Sequence, residues 1–147
     1  MCNDIGIEYS INKSSEIQIR DFLWRNKDAF NPPFNTTTNI DSYSKKLNEK
    51  ASRIELWEGS SLNGLLCFYT NIEIEELYIS YFCVSNKCIG KGFGKTMFKM
   101  LQERPHKTIV LEVRKNNTNA ILFYKKFGFK ATSENQEKIL MKLLRHD

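Results

Sequence analysis

Residues 77–98 read LYISYFCVSNKCIGKGFGKTMF, and this stretch decides the fold. Its first eight residues are nearly all apolar or aromatic, which predicts a central strand covered on both faces. Further on, apolar side chains recur at positions 93, 97, 100 and 101, a spacing typical of a helix that runs to about Arg104. Three glycines, Gly90, Gly92 and Gly94, lie between the two. The order of strand, glycine-rich loop and helix puts the loop where backbone N–H groups can bind an anion.

The glycine loop alone does not say which anion it binds. A nucleotide-binding P-loop needs a glycine at position 89, five residues before Gly94, but that residue is Ile89. A dinucleotide-binding turn needs G-x-G-x-x-G, and glycines at every second position do not form it. Alternate glycines permit positive φ and let consecutive N–H groups face one anion, to which Lys91 and Lys95 add charge. A tight turn with incidental glycines is an equally good interpretation of the loop by itself.

The patterns on either side of this stretch predict a mixed sheet. Before it, we expect a strand near residues 4–11, a helix from about Ser15 to Ala29, a helix over 42–51 capped by Asp41, and strands over 53–59 and 62–72. After it, we expect a strand over 107–113, a helix over 117–127 stopped by Gly128, and two closing strands over 128–135 and 136–144. Antiparallel pairing is therefore expected at both ends, with one right-handed βαβ crossover in the middle.

Composition limits the class of protein. The chain has 147 residues, which fits a single domain over 1–147, and its net charge is +5 with a pI near 9. A basic balance suits either a nucleic acid or a small polyanionic cofactor. No RNA-binding signature accompanies the lysines, so a basic nucleic-acid-binding module is the less favoured alternative. Four cysteines without a C-x-x-C pair, and no signal peptide or long apolar span, favour a reduced, cytoplasmic protein without a membrane partner.

A second motif follows in LEVRKNNTNAILFYKKFGF, residues 111–129, where Asn117, Ala120 and Tyr124 share one helical face. Together with CVSNKCIGKGFGKTMFKML at 83–101, it resembles the GNAT superfamily of N-acetyltransferases. That superfamily has a pyrophosphate loop [QR]-x-x-G-x-[GA] and a later segment N-x-x-A-x-x-[LF]-Y-x-x-x-G-F. The resemblance covers roughly residues 77–129. One position departs from it, because Ile89 stands where the loop usually has Gln or Arg.

The resemblance implies an α/β (α+β) fold with a mixed, mostly antiparallel sheet of six to seven strands, splayed between strands 4 and 5 and flanked by about four helices. It also implies acetyl-CoA as co-substrate and direct transfer of the acetyl group to an amine, without a metal. A P-loop-like nucleotide-binding protein stays as the alternative. The residues expected to bind the cofactor are Phe82, Cys83, Val84, Ile89, Gly90, Lys91, Gly92, Phe93, Gly94, Lys95, Asn117, Ala120 and Tyr124.

Two residues are the catalytic candidates. By resemblance, Tyr124 is the general acid that protonates the departing thiolate of coenzyme A. Glu112, twelve residues earlier, is the candidate base, and between Leu111 and Val113 its carboxylate is expected to be partly desolvated. A structural carboxylate is an equally good interpretation of Glu112. Cys83 need not be a nucleophile, because the amine attacks the thioester directly.

The acceptor is expected to be a small-molecule or peptide amine. Trp24, Phe30, Phe34 and Tyr43 surround the Pro32-Pro33 loop, and such aromatic residues either grip an acceptor or form the core beneath a loop. A homodimer is possible, and nucleic acid is an improbable partner. The sequence does not identify the acceptor.

Overall fold

The computed structural model describes residues 6–145, which form seven strands and five α-helices. Two short 3₁₀ turns, Lys27–Ala29 and Asn86–Cys88, complete the pattern. In chain order the elements are β1 Ile7–Ile11, α1 Glu16–Arg25, α2 Phe34–Thr37, α3 Ile40–Lys50, β2 Ser52–Glu58, β3 Ser61–Asn71, β4 Glu76–Val84, α4 Phe93–Gln102, β5 Thr108–Arg114, α5 Thr118–Lys126, β6 Lys130–Glu134 and β7 Lys138–Leu144.

The strands form one seven-stranded sheet in the order β1-β2-β3-β4-β5-β7-β6. β4 and β5 are parallel, and the neighbouring pairs β1–β2, β2–β3, β5–β7 and β6–β7 are antiparallel. The parallel pairing runs from Glu76 opposite Thr108 to Ile79 opposite Leu111, although β4 continues to Val84. The predicted mixed sheet, with a splay between strands 4 and 5, is therefore confirmed.

The chain divides into two compact units, one with residues up to 68 together with 81–104, the other with 69–80 and from 105 onward. In the first unit, helix α4 lies close to the sheet at Gly64. A Cβ atom at Gly64 would lie 2.9 Å from Cβ of Leu56 and 3.0 Å from Sδ of Met97. Only glycine permits this approach, which fixes the helix that begins at the glycine loop.

The second unit is built on β5 and β7, which pair along their whole length from Thr108 opposite Leu144 to Arg114 opposite Lys138. One face of these strands carries buried apolar side chains, among them Leu111 and Met141. Helix α5 ends before Gly128, whose φ of +99° is a conformation that residues with a side chain rarely adopt. Gly128 thus stops the helix as the sequence predicts.

Several sequence predictions need correction. Helix α1 ends at Arg25 and a 3₁₀ turn follows, and the cap of α3 is Asn39 instead of Asp41. A short helix, α2, follows the Pro32-Pro33 loop, and with it residues 6–145 contain five α-helices, in line with the expected number of about four. Ser15 caps α1 as expected, in a capping box with Gln18.

Two further predictions were only partly correct. On β4, one face is buried, but the other is partly open, since Tyr78 is 36% exposed and Phe82 is half-buried. Of the cysteines, Cys67 and Cys83 are outside any disulfide, as expected for a reduced protein, whereas Cys88 is disulfide-bonded.

Candidate active site

The glycine loop forms an open anion cradle at the start of α4. Gly90 and Gly92 have φ of +85° and +83°, and Gly92 is the N-cap of the helix. No side chain caps this helix, and its first turn closes with a hydrogen bond from the N–H of Thr96 to the carbonyl of Gly92 at 3.1 Å. The N–H groups just before Thr96 have no partner inside the helix, and the helix dipole adds positive potential there. The backbone can therefore bind a phosphate.

The hydroxyl of Thr96 argues against a P-loop. It donates a hydrogen bond to the carbonyl of Gly92 at 3.2 Å, one turn back along its own helix. A P-loop would use this hydroxyl as a ligand of Mg²⁺. The described residues also contain no group of three or more His, Cys, Asp or Glu side chains that could hold a metal ion.

The residues around the glycines divide into core and surface. Phe93 is buried at 7% exposure, so only its backbone can face an anion, whereas Lys91 and Lys95 are exposed. Ile89 is 62% exposed and has no polar atom to offer. Lys87, which precedes it, forms an ion pair with Glu58 at 3.6 Å. Charge at the loop therefore comes from the lysines that follow Gly90.

The end of β4 leads into this loop and supplies two kinds of polar group. The pairing of β4 with β5 ends at Ile79, whereas β4 itself continues through Phe82 to Val84. Ser85 is 5% exposed, and its hydroxyl has no hydrogen-bond partner among residues 6–145. A buried hydroxyl without a partner is costly, and a bound ligand would satisfy it. These features suit a ligand that has an extended polar chain followed by phosphate groups.

Cys83 is not built as a nucleophile. Burial raises the pKa of its thiol to about 11, although a hydrogen bond with Tyr81 acts in the opposite direction. The thiol also lies 3.7 Å from the carbonyl oxygen of Val84. Because the thiolate is the reactive form, Cys83 is inert at neutral pH.

Helix α5 carries the candidate acid. Asn117 is its N-cap, and its side-chain oxygen accepts a hydrogen bond from the N–H of Ala120 at 3.2 Å. Tyr124 is 7% exposed, and its ring packs edge-on against Phe123 and Phe129, with centroids 5.6 and 5.5 Å away. The ring is held firmly, which is what a positioned proton donor requires.

Glu112 and Tyr78 lie on neighbouring strands and share one face of the sheet. Tyr78 is opposite Val110, and Glu112 follows two residues later on the same face. Burial and the negative charge of Glu112 together raise the pKa of Tyr78, so its hydroxyl keeps its proton at neutral pH. Glu112 itself is exposed, so the predicted desolvation of its carboxylate was wrong. Sequence reasoning missed Tyr78, because only the strand register brings it beside Glu112.

Tyr124 and Glu112 belong to different faces of this part of the sheet. The Cβ position of Gly128, just beyond α5, is 3.3 Å from a methyl group of Leu143, which pairs with Ile109. Helix α5 therefore ends over the face that carries Ile109, whereas Glu112 points to the other face. A proton acceptor and a proton donor are thus available on separate sides.

Comparison with known proteins decides the family. Residues 27–144 match the family described as acetyltransferase (GNAT) domain. The chain belongs to the GNAT acetyltransferase family. It is an acetyl-CoA-dependent N-acetyltransferase, which confirms the resemblance seen in the two motifs.

Solved structures share the GNAT fold over nearly the whole chain. Ard1 from Thermoplasma volcanium is 20% identical, with 95% of this chain and 99% of that one covered and a TM-score of 0.76. PaiA N-acetyltransferase from Thermoplasma acidophilum, in complex with coenzyme A, is 16% identical, with coverage of 94% and 99% and a TM-score of 0.73. Naa50 from Arabidopsis thaliana, in complex with the bisubstrate analogue CoA-Ac-MVNAL, is 18% identical, with coverage of 95% and 99% and a TM-score of 0.68. No curated protein matches the sequence.

The aromatic residues predicted near the acceptor of this GNAT enzyme form a cluster in the first unit. Phe34 is central, with ring centroids 5.3 Å from Phe30, 5.6 Å from Tyr43 and 5.2 Å from Tyr81. Trp24, predicted to join them, is 43% exposed and makes no ring contact within residues 6–145. Tyr81, which was not predicted, is fully buried. We call Phe30, Phe34, Tyr43 and Tyr81 the aromatic cluster.

None of the helices found in residues 6–145 has the length and apolar character needed to cross a bilayer.

Proposed function

We propose that this enzyme acetylates the α-amino group of a peptide whose first side chain is apolar. The observation that carries this proposal is the aromatic cluster, in which the partly exposed rings of Phe30 and Phe34 pack on the buried ring of Tyr81 and Tyr43 packs on Phe34. Such a surface binds an apolar side chain through area burial and ring contacts. The bisubstrate analogue bound to Arabidopsis Naa50 also carries a peptide that begins with Met. A small-molecule amine is the other acceptor class.

For the cofactor we propose that residues 1–147 act as one GNAT-type domain. The N–H groups of the glycine loop would hold the pyrophosphate of CoA, with Lys91 and Lys95 adding charge. The end of β4 at Phe82 and Val84, beyond the last residue that pairs with β5, would hold the pantetheine arm as an added strand. Asn117 and Ala120, at the start of α5, are the remaining proposed contacts. When bound, acetyl-CoA supplies an activated acetyl group and a thiol leaving group.

Glu112 is proposed as the proton acceptor, with Tyr78 as its positioning partner. A peptide α-ammonium group has a pKa near 8, so it must lose a proton before it can attack. The exposed carboxylate of Glu112 is accessible for that proton. Tyr78 keeps its own proton, because burial and Glu112 raise its pKa, and it can therefore donate a hydrogen bond next to the carboxylate.

Tyr124 is proposed as the proton donor to the departing sulfur. Its location over the other face of the sheet suits this division, because one group would take the proton of the amine and a different group would give a proton to the sulfur. The packed rings of Phe123 and Phe129 limit the rotation of Tyr124. Glu112 and Tyr124 would thus serve the two proton transfers separately.

An acetyl-transfer assay tests the acceptor class. With acetyl-CoA saturating, we expect kcat/KM for peptides that begin with Met or Leu to exceed that for peptides beginning with Asp by at least about tenfold, as apolar burial implies. Polyamines and aminosugars should be poorer still. Phe34→Ala should raise KM for the apolar peptide, whereas the control Trp24→Ala, outside the aromatic cluster, should leave it unchanged. A higher kcat/KM for a small-molecule amine in the same assay would contradict the proposal of a peptide acceptor.

Replacing Tyr124 tests its proposed role as the proton donor to the departing sulfur. Tyr124→Phe removes only the hydroxyl, so we expect kcat to fall by about 10²- to 10⁴-fold with little change in the KM for acetyl-CoA. Thioesters with a more acidic thiol need less protonation of the leaving group, so the variant should recover with them. Unchanged kcat for the natural thioester would remove Tyr124 from the mechanism.

A further inference from the structure

We propose that Glu58 weakens the binding of CoA by holding the ammonium group of Lys87 in an ion pair next to the glycine loop. The inference rests on the proposed cofactor site, because it concerns the phosphates of CoA at that loop. It assigns Glu58 a role as a positioning residue, which acts on the cofactor through Lys87.

Lys87 is well placed to serve the loop but is engaged elsewhere. It lies in the 3₁₀ turn Asn86–Cys88, which runs directly into Ile89 and the glycines. Its ammonium nitrogen is 3.6 Å from a carboxylate oxygen of Glu58, at the end of β2. The Lys87 side chain is 44% exposed and that of Glu58 only 21%, so the carboxylate is the more fixed partner.

Glu58 is held in place by a buried residue that also anchors the turn. The amide nitrogen of Asn63 donates to the carboxylate of Glu58 at 3.4 Å, and Asn63 is completely buried. The backbone carbonyl of Asn63 accepts the N–H of Ser85 at 2.8 Å, just before the turn that carries Lys87. One residue therefore fixes both the carboxylate and the start of the segment that leads to the loop.

The charge of this pair matters because the neighbouring position is apolar. Ile89 offers no hydrogen bond and no charge to a phosphate, so a free Lys87 would be the cation on this side of the loop. Glu58 neutralises it and, as an anion near a phosphate site, repels the ligand as well. The pair has no net charge, and the carboxylate of Glu58, which is 21% exposed, is screened by solvent less than the ammonium group of Lys87.

The consequence is an ordered set of affinities that depends on the charge of the pair. Glu58→Gln would release Lys87 and add one positive charge beside the loop, so CoA should bind more tightly. Lys87→Met would remove the positive charge opposite the carboxylate of Glu58 and should weaken binding. The double variant Lys87→Met/Glu58→Gln restores a neutral pair and should bind like the wild type. A purely structural role for Glu58 does not give this order.

Isothermal titration calorimetry of the full chain with CoA tests the order. At low salt we expect Glu58→Gln to lower the Kd by about threefold and Lys87→Met to raise it by about threefold, while the double variant stays within about twofold of wild type. Glu49→Gln makes the same charge change on the exposed surface of α3 and should leave the Kd unchanged. The differences should shrink at high salt.

Ligand fragments separate the inference from the proposed cofactor site. Dephospho-CoA keeps the pyrophosphate and should show the same order, whereas pantetheine has no phosphate and should show none. Weaker or unchanged binding of CoA by Glu58→Gln, with its melting temperature intact, would overturn the inference. A wild-type chain that binds pantetheine and CoA equally would instead overturn the proposed phosphate site at the loop.

Discussion

Glu55 on β2 and Glu112 on β5 stand in the same kind of local sequence, because each lies between two aliphatic residues inside a strand. Ile54 and Leu56 flank the first, Leu111 and Val113 the second. In the folded chain Glu55 is completely buried, whereas Glu112 is exposed. A strand pattern with one charged residue between two apolar ones therefore does not decide whether the charge is structural or available for chemistry.

Glu55 and Glu112 differ in the hydrogen-bond donors that surround their carboxylates. The Glu55 carboxylate accepts hydrogen bonds from the hydroxyls of Ser10 and Ser14 and from the N–H groups of Lys13 and Ser14. Arg53, two residues away on the same face, lies 3.4 Å from it and is itself 3% exposed. Every oxygen lone pair that could serve a substrate is occupied. Glu55 therefore joins the segment after β1 to β2 and has no capacity left for proton transfer.

Arg53 completes the same network from the other side. Its guanidinium donates to the backbone carbonyls of Ser14, Leu47 and Ala51 at 3.0 to 3.3 Å. Through these bonds the end of α3 is tied to β2 and to the start of α1. Glu112 has no such set of donors, and its sheet neighbour Tyr78 is partly exposed. The two carboxylates thus differ both in burial and in the donors around them, and Glu55 has the full set of partners that a structural glutamate requires.

Glu55→Gln should give the largest effect. The variant leaves Arg53 buried without its counter-charge, so we expect the free energy of unfolding to fall by about 3 to 5 kcal/mol in urea denaturation. The matched Glu112→Gln should change it by less than about 0.5 kcal/mol, as an exposed site implies. Equal losses of unfolding free energy in the two variants would show that the two glutamates stabilise the fold to the same extent.

Acid titration of stability sharpens the same prediction. Burial alone would raise the pKa of Glu55, but the hydrogen bonds from Ser14, Lys13 and Ser10 outweigh it and lower the pKa below its ordinary value of 4.5. A lowered pKa means that the ionised carboxylate stabilises the fold above about pH 4.5 and that this contribution is lost as the pH falls through the folded pKa. The stability gap between wild type and Glu55→Gln should therefore narrow below pH 4.5. A stability difference between wild type and Glu55→Gln that grows as the pH falls would contradict a lowered pKa for Glu55.

The sequence predicts the parts of this enzyme that depend on local patterns. The β4, loop, α4 order follows from periodicity and glycine spacing, and the end of α5 follows from the conformational freedom of Gly128. The family follows from two motifs in the right order. Each of these signals lies within one short stretch of the chain, where the spacing of residues determines their local geometry.

What the sequence did not predict depends on register and long-range partners. Tyr78 meets the field of Glu112 only because of how β4 and β5 pair, and Lys87 meets Glu58 from the end of a distant strand. Helix α2 has no side-chain cap and no apolar period to indicate it. The predicted desolvation of Glu112 failed because apolar sequence neighbours point to the opposite face of a strand and cannot cover its carboxylate.

The smaller expected effect is kinetic and concerns Glu112. If Glu112 accepts the proton, Glu112→Gln should lower kcat by about 10- to 100-fold at pH 7, and raising the pH above the pKa of the peptide amine should restore much of the loss. Tyr78→Phe should cost less, about threefold to tenfold. Because Tyr78 is proposed to act through Glu112, the double variant should be no slower than Glu112→Gln alone. Two results would contradict this role of Glu112: a loss of kcat in the double variant equal to the product of the two single losses, or a loss in Glu112→Gln that persists at high pH. Glu112 would then be a structural carboxylate, like Glu55, despite its exposure.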